Sequence, residues 1–158
     1  MKKIALAGLG IAALALAPPA AADVPGIAPF TGPWHAHASG LTINSDGSGR
    51  LTYADLSACP SACNGRDDYA DAPAATVDFT LTSVSGDTAT GSVNAASNPS
   101  NDTVGEPVTI KLVTGIGYPY TGPPASVSGN NGVALQVSMG KMQDWNYCND
   151  TTHNYCGG

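Results

Sequence analysis

Two histidines stand two residues apart in a stretch that reads as a β-strand. His35 and His37 would share one face of that strand, as paired zinc or copper ligands do, and His153 or an aspartate would complete the set. Trp34 would occupy the opposite face, and its size favours burial there, which directs the histidines to solvent. The sequence therefore predicts surface histidines, with a metal site as the less favoured alternative.

An acidic loop offers a second candidate metal site. Asp67, Asp68 and Asp71 lie close to Asn64, and carboxylate and amide oxygens are calcium ligands. Their spacing differs from the Asp-x-Asp-x-Asp-Gly pattern of a dedicated calcium loop. A solvated turn is the favoured interpretation, and calcium is the alternative.

Catalytic motifs are scarce. The sequence contains neither a Gly-x-Ser-x-Gly nucleophile elbow nor a His-Glu-x-x-His zinc motif, and Glu106 is its single glutamate. We therefore predict no catalytic residue and no cofactor. A hydrolase or metal-dependent enzyme without a recognisable motif ranks third among the functional classes considered below.

The first 22 residues have the pattern of a secretory signal peptide. Met1-Lys2-Lys3 is basic, residues 4–17 are apolar, and Ala20-Ala21-Ala22 supplies small residues for cleavage. The apolar run is too short to span a bilayer comfortably. We expect cleavage near Ala22, a location in the cell envelope or outside the cell, and a single domain over residues 23–158.

Four cysteines in an exported chain predict two disulfides, for which three connectivities exist. Proximity in the chain favours Cys59 with Cys63 and Cys148 with Cys156. Bridges that connect the 59–63 loop to the tail are the alternative. Zinc binding by the cysteines with His153 is less favoured than oxidation to disulfides.

Charge restricts the possible partners. Removal of Lys2 and Lys3 with the leader leaves four of the six basic residues against twelve acidic ones. Such a surface repels nucleic acid and anionic lipid headgroups. The expected partner is a protein, a glycan or a small apolar ligand, and the expected state is a monomer.

The stretch 39–55 predicts a β-hairpin around Asp46-Gly47. Alternation predicts one buried face with the four side chains Leu41, Ile43, Leu51 and Tyr53. We expect a loop of three or more residues with a glycine in the left-handed conformation, pairing Ile43 with Leu51 and Leu41 with Tyr53.

Apolar and polar residues also alternate at 76–82, 88–94, 107–113 and 133–139. Turns are predicted at Ser85-Gly86-Asp87 and at Gly129-Asn130-Asn131-Gly132, the second joining a strand that starts at Ser126 to residues 133–139. This pattern predicts an all-β domain of seven to eight short antiparallel strands, a small barrel in preference to a sandwich.

Aromatic residues concentrate outside these strands, in the 59–73 loop, the 115–124 segment and the tail. Rings with a polar edge suit contact with a partner or glycan, so we predict a binding surface formed by Tyr69, Tyr118, Tyr120, Trp145, Tyr147 and Tyr155. The alternative is that these rings cover the ends of the barrel.

The chain resembles small exported proteins of mycobacteria and related actinobacteria that have no assigned function. The resemblance rests on Gly32-x-Trp34-x-x-His37, Leu41-x-Ile43-x-x-Asp46-Gly47-x-Gly49, the Cys59 and Cys63 loop, and Cys148 to Cys156-Gly157. Gly32-x-Trp34 is also similar to the opening of lipocalin-like barrels, which implies a small apolar ligand.

Two functional classes lead. The favoured one is a non-enzymatic structural or interaction module with a filled core, because Ala89 and Gly91 at inward positions permit a narrow barrel. The alternative is a lipocalin-like barrel with an apolar cavity lined by inward side chains.

Overall fold

The computed structural model describes residues 22–58, 72–114 and 133–148, and over these residues it is all-β. Within these ranges there are eight antiparallel strands, in agreement with the predicted seven to eight. They are β1 (Gly32–Ala36), β2 (Ser39–Ile43), β3 (Ser48–Ala54), β4 (Ala74–Ser85), β5 (Thr88–Ala96), β6 (Pro107–Thr114), β7 (Val133–Met139) and β8 (Met142–Tyr147). Helical structure in these ranges consists of short 3-10 turns at Ala28–Phe30 and Leu56–Ala58. A helix long and apolar enough to cross a bilayer does not occur in the described ranges.

The strands form a nearly closed barrel with up-and-down topology. Each strand pairs with the next one in the chain, from β1 to β8. The first and last strands then meet at a single bridge, where the His35 amide donates to the Cys148 carbonyl at 2.6 Å and the Cys148 amide donates to the His35 carbonyl at 2.9 Å. This bridge joins the two edges of the sheet at one point, and paired edges are protected from pairing with another chain.

The barrel interior follows the predicted alternation. Inward and outward residues alternate along most of the strands, and the inward side chains form one continuous cluster. Among those that the sequence pattern placed inside, the buried ones are Trp34, Leu41, Ile43, Leu51, Val77, Phe79, Leu81, Ala89, Val93, Val108, Ile110, Leu135, Val137 and Met139. Tyr53 is half-buried against the same cluster. The predicted buried face of the first hairpin is therefore confirmed.

The pairing predicted within that hairpin is wrong by two residues. Ile43 pairs with Gly49, and Leu41 pairs with Leu51. The connection between the two strands has four residues, 44–47, and Gly47 has a φ of +81°, the predicted left-handed conformation. Both registers keep the same side chains inside, so alternation could not separate them.

The last two strands differ from the predicted third hairpin. β7 pairs with β6 on one side and with β8 on the other. The predicted turn at 129–132 and the strand from Ser126 lie outside the described residues. β8 comes from the segment that the sequence assigned to the tail, and a tight turn at Gly140-Lys141 connects it to β7.

The N-terminal segment covers one end of the barrel, which we call the closed end. Ile27 and Phe30 are buried in the core cluster, and the Trp34 indole donates to the Phe30 carbonyl at 2.8 Å. The Val24 amide donates to the Ser45 carbonyl in the β2–β3 turn. The opposite end, the open end, carries the connections after β1, β3, β5 and β7.

Candidate functional site

A groove of about 210 Å³ lies at the open end of the barrel. Four parts of the chain form its walls: the β1–β2 turn, the end of β3, the β5–β6 loop at 97–106, and the β7–β8 turn with β8. The lining residues are His37, Ala38, Ser39, Tyr53, Ala54, Asn101, Asp102, Lys141, Met142 and Trp145.

The polar centre of the groove is a tyrosine–carboxylate pair. The Tyr53 hydroxyl donates to Oδ2 of Asp102 at 2.8 Å, and Asp102 is 4% exposed. Burial raises the pKa of Asp102, because removal from water disfavours the ionised carboxyl. Burial, with the hydrogen bond to Asp102, raises the pKa of Tyr53 to about 12, so its phenol stays protonated at neutral pH.

The loop that carries Asp102 is held by a second buried carboxylate. Asp55, just after β3, accepts hydrogen bonds from the Ser57 hydroxyl at 2.6 Å and from the Asn98 amide group at 2.5 Å. These bonds, led by the one from Ser57, lower the pKa of Asp55. The charges of Asp55 and Glu106 also raise the pKa of Asp102, whereas Lys141 lowers it. Two further carboxylates and one lysine therefore act on Asp102 at this end of the barrel.

The remaining wall of the groove is apolar. Met142 is half-buried, and Trp145 is 40% exposed although it pairs with the fully buried Val137. Two other large apolar side chains are exposed among the described residues, Leu56 at 46% and Val104 at 64%. Leu56 follows β3 and Val104 lies in the β5–β6 loop, so all three belong to the open end.

These groups are suited to binding. The buried carboxylate can accept hydrogen bonds, while the tryptophan and methionine supply apolar contact. The Ser39 hydroxyl is engaged, because it shares a hydrogen bond of 2.8 Å with the Tyr147 hydroxyl and donates to the Thr52 carbonyl at 3.1 Å. It is therefore a structural group rather than an exposed nucleophile.

One Ser-x-x-Lys stretch also lies beside the groove, Ser138-Met139-Gly140-Lys141. In the serine enzymes that use this motif, serine and lysine act together. Here the residues span the end of β7 and a tight turn, and the Ser138 hydroxyl donates to Asp144 at 3.2 Å and accepts from its amide at 3.1 Å. Both bonds hold the bulge in β8.

The candidate metal ligands are dispersed. His35 is half-buried at the barrel seam, and His37 is exposed and lines the groove. In residues 22–58, 72–114 and 133–148, no three histidine, cysteine, aspartate or glutamate side chains group as metal ligands would. Asp67, Asp68, Asp71 and His153 lie outside the described residues.

The predicted aromatic surface needs one correction. Trp145 is exposed as expected, but Tyr147 is completely buried, because β8 continues to that position and directs its ring into the core. The other predicted surface aromatics, Tyr69, Tyr118, Tyr120 and Tyr155, lie outside the described residues. So do Cys59, Cys63 and Cys156, while Cys148 is buried at the seam; the disulfide pairing stays a prediction.

Sequence reasoning missed Tyr53 and Asp102 as a functional pair. Tyr53 was recognised as a member of the hairpin face, and Asp102 stood in a polar loop without periodicity. Since the two residues are 49 positions apart, their contact has no local signal.

Comparison with known proteins gives no relatives to guide the assignment. No family model matches the chain, and neither does any curated protein or solved structure.

Proposed function

We propose that this protein is an exported, non-enzymatic binding module that recognises small molecules or the side chains of a partner through the groove at the open end of its barrel. The observation that carries this proposal is the shared location of the groove and of the three exposed large apolar side chains Leu56, Val104 and Trp145. Export is supported by the leader pattern of residues 1–22.

Contrast between the two ends of the barrel supports the same conclusion. At the closed end, Ile27 and Phe30 are buried against the core. At the open end, comparable apolar side chains stay in water. Three exposed large apolar side chains at one end of the barrel favour that end as an interaction site.

The core favours an end-on groove over a lipocalin-like interior. The large inward side chains pack into one cluster. Trp34, Phe79 and Tyr147 are each at most 2% exposed. A ligand at the open end requires no cavity among them. The lipocalin-like alternative requires space between these same side chains.

Nile red, a neutral apolar dye, tests the binding proposal. Its fluorescence should increase on addition of the protein, and the indole N–H signal of Trp145 should shift in a two-dimensional NMR spectrum while that of the buried Trp34 stays in place. Trp145→Phe assigns the two signals. Trp145→Ser should weaken dye binding, because it removes the largest apolar side chain of the groove.

Thr82→Ala, on the exposed outer face of β4, is the matched control and should bind the dye as the wild type does. If the dye shifts the Trp34 indole in preference to Trp145, the interior is the binding site and the lipocalin-like alternative gains. If neither signal moves and Trp145→Ser binds normally, the groove is not the site.

A further inference from the structure

The charges around the groove are unbalanced. Asp102 lines the groove with 4% exposure, and the charges of Asp55 and Glu106 act on it. Lys141 is the one lysine or arginine among the described lining residues. Lys141 is an exposed residue of the β7–β8 turn, so water screens its charge more than that of the buried Asp102. A ligand cation would meet a net negative site.

The walls beside this carboxylate are aromatic and polarizable. Tyr53, Met142 and Trp145 all contribute to the lining. A cation near the face of a tryptophan or tyrosine is attracted by the ring quadrupole, and the attraction increases as water is excluded. The same rings bind an apolar body by burying its surface.

From this juxtaposition we infer that the groove selects ligands in which a protonated amine is joined to a small apolar or aromatic body, with the ammonium group on Asp102 and the body against Met142 and Trp145. This inference rests on the proposed binding function. The size agrees, since an apolar cavity of about 150 Å³ is enough to hold benzene, and the groove measures about 210 Å³.

The titration of Asp102 supports the same ligand chemistry. Burial raises its pKa, and the charges of Asp55 and Glu106 raise it further, against a hydrogen bond from Tyr53 and the charge of Lys141. His37 also lines the groove. A bound ammonium group favours the ionised carboxylate. Amine affinity should therefore increase as the pH rises through the pKa of Asp102.

Three probes of one size and different charge test the inference: 2-phenylethylamine, 2-phenylethanol and phenylacetate. Binding is followed at pH 7 by the Trp145 indole signal in the full-length mature protein. We expect the amine to bind about tenfold more tightly than the alcohol, a ratio that corresponds to one desolvated charge contact. The acid should bind most weakly, because Asp102 repels it.

Two variants test whether the preference for the amine depends on the charges at the groove. Asp102→Asn should reduce the amine-to-alcohol ratio to about one, and Lys141→Gln should increase it by removing a competing cation. Asp87→Asn, at the closed end, removes the same charge and should leave the ratio unchanged. The exposed positions of Lys141 and Asp87 make folding of these two variants safe.

The outcomes separate the two proposals. If Nile red binds at Trp145 but the wild-type ratio is near one, or if Asp102→Asn lowers it no more than Asp87→Asn, the amine inference is overturned and the binding function survives. If neither the dye nor the three probes move the Trp145 signal, both fail.

Discussion

The hydroxyl of Tyr53 donates a hydrogen bond of 2.8 Å to the carboxylate of Asp102. This bond connects the end of β3 to the β5–β6 loop, 49 residues later in the chain. It also keeps a carboxyl group in a place where water is largely excluded. Stability and binding at the open end therefore depend on the same group.

Asp102→Asn should change how stability depends on pH. Because the folded-state pKa of Asp102 is raised above its ordinary value of 3.8, its contribution is fully present below pH 3.8 and is lost as pH rises through the folded-state pKa. The melting temperature of the wild type minus that of Asp102→Asn should therefore fall as pH rises from about 3 to 7. Thermal denaturation at several pH values measures the difference.

Asp55→Asn, at the same end of the barrel, should change the pH dependence of stability in the opposite direction. Hydrogen bonds, first from Ser57 and also from Asn98, lower the pKa of Asp55, so its contribution is present above pH 3.8 and is lost as pH falls through the folded-state pKa. The melting temperature of the wild type minus that of Asp55→Asn should therefore decrease as the pH falls. Identical slopes for the two variants would contradict the assigned environments.

Tyr53→Phe should destabilise the protein by about 1–3 kcal/mol, because it leaves the buried carboxylate without its phenol donor. Urea denaturation at pH 7 measures the loss. In the double variant with Asp102→Asn the penalty for losing the phenol should be smaller, since a neutral amide replaces the charge. Thr76→Val, on the outer face of β4, is a control that should change stability by less than about 0.5 kcal/mol. Additive effects of the first two substitutions would show that the bond is energetically silent.

Gly140→Ala should be more damaging than Gly86→Ala. Both glycines have positive φ, +53° and +61°, so an added Cβ is strained by about 1–2 kcal/mol at either position. At Gly86 the new atom meets open space, whereas at Gly140 it would lie 2.8 Å from the Asn101 carbonyl and from Oδ1 of Asp102. We expect a further loss of about 1–3 kcal/mol at Gly140.

Urea denaturation of both glycine variants measures this difference. Gly140→Ala should also weaken probe binding in the groove, because the crowding must displace the loop that carries Asp102. Equal stability of the two variants would mean that the β7–β8 turn does not pack against that loop.

Sequence periodicity predicts the barrel well because one face of every strand is buried. Leu41, Ile43 and Leu51 point inward in either register, so alternation finds the core without finding the pairing. Periodicity also misses the non-local contact between β3 and β4, where Gly49 sits beneath the ring of Phe79.

β8 was not predicted from the sequence, for a different reason. Asp144 has a φ of +58° and forms a bulge, so the polar stretch Met142–Tyr147 does not alternate regularly. The candidate site was not predicted because the hydrogen bond between Tyr53 and Asp102 joins a strand to a distant loop. Trp145 was recognised from its residue type alone, and the same reasoning misplaced Tyr147.

The last prediction concerns Gly49 and Phe79, which pair directly across β3 and β4. A Cβ built on Gly49 would overlap the Phe79 ring, so the aromatic ring covers its glycine neighbour. Gly49→Ala should cost about 1–3 kcal/mol by overpacking, and Phe79→Leu a similar amount through lost burial. In the double variant the smaller leucine leaves room for the new methyl group. The combined loss should therefore be about 1 kcal/mol or more below the sum of the single losses.

Gly40→Ala is the control, because nothing lies within 4 Å of its built Cβ, and its effect should simply add to that of Phe79→Leu. Urea denaturation of the three single and two double variants measures the coupling, and strict additivity of Gly49→Ala with Phe79→Leu would show that the ring does not pack on Gly49.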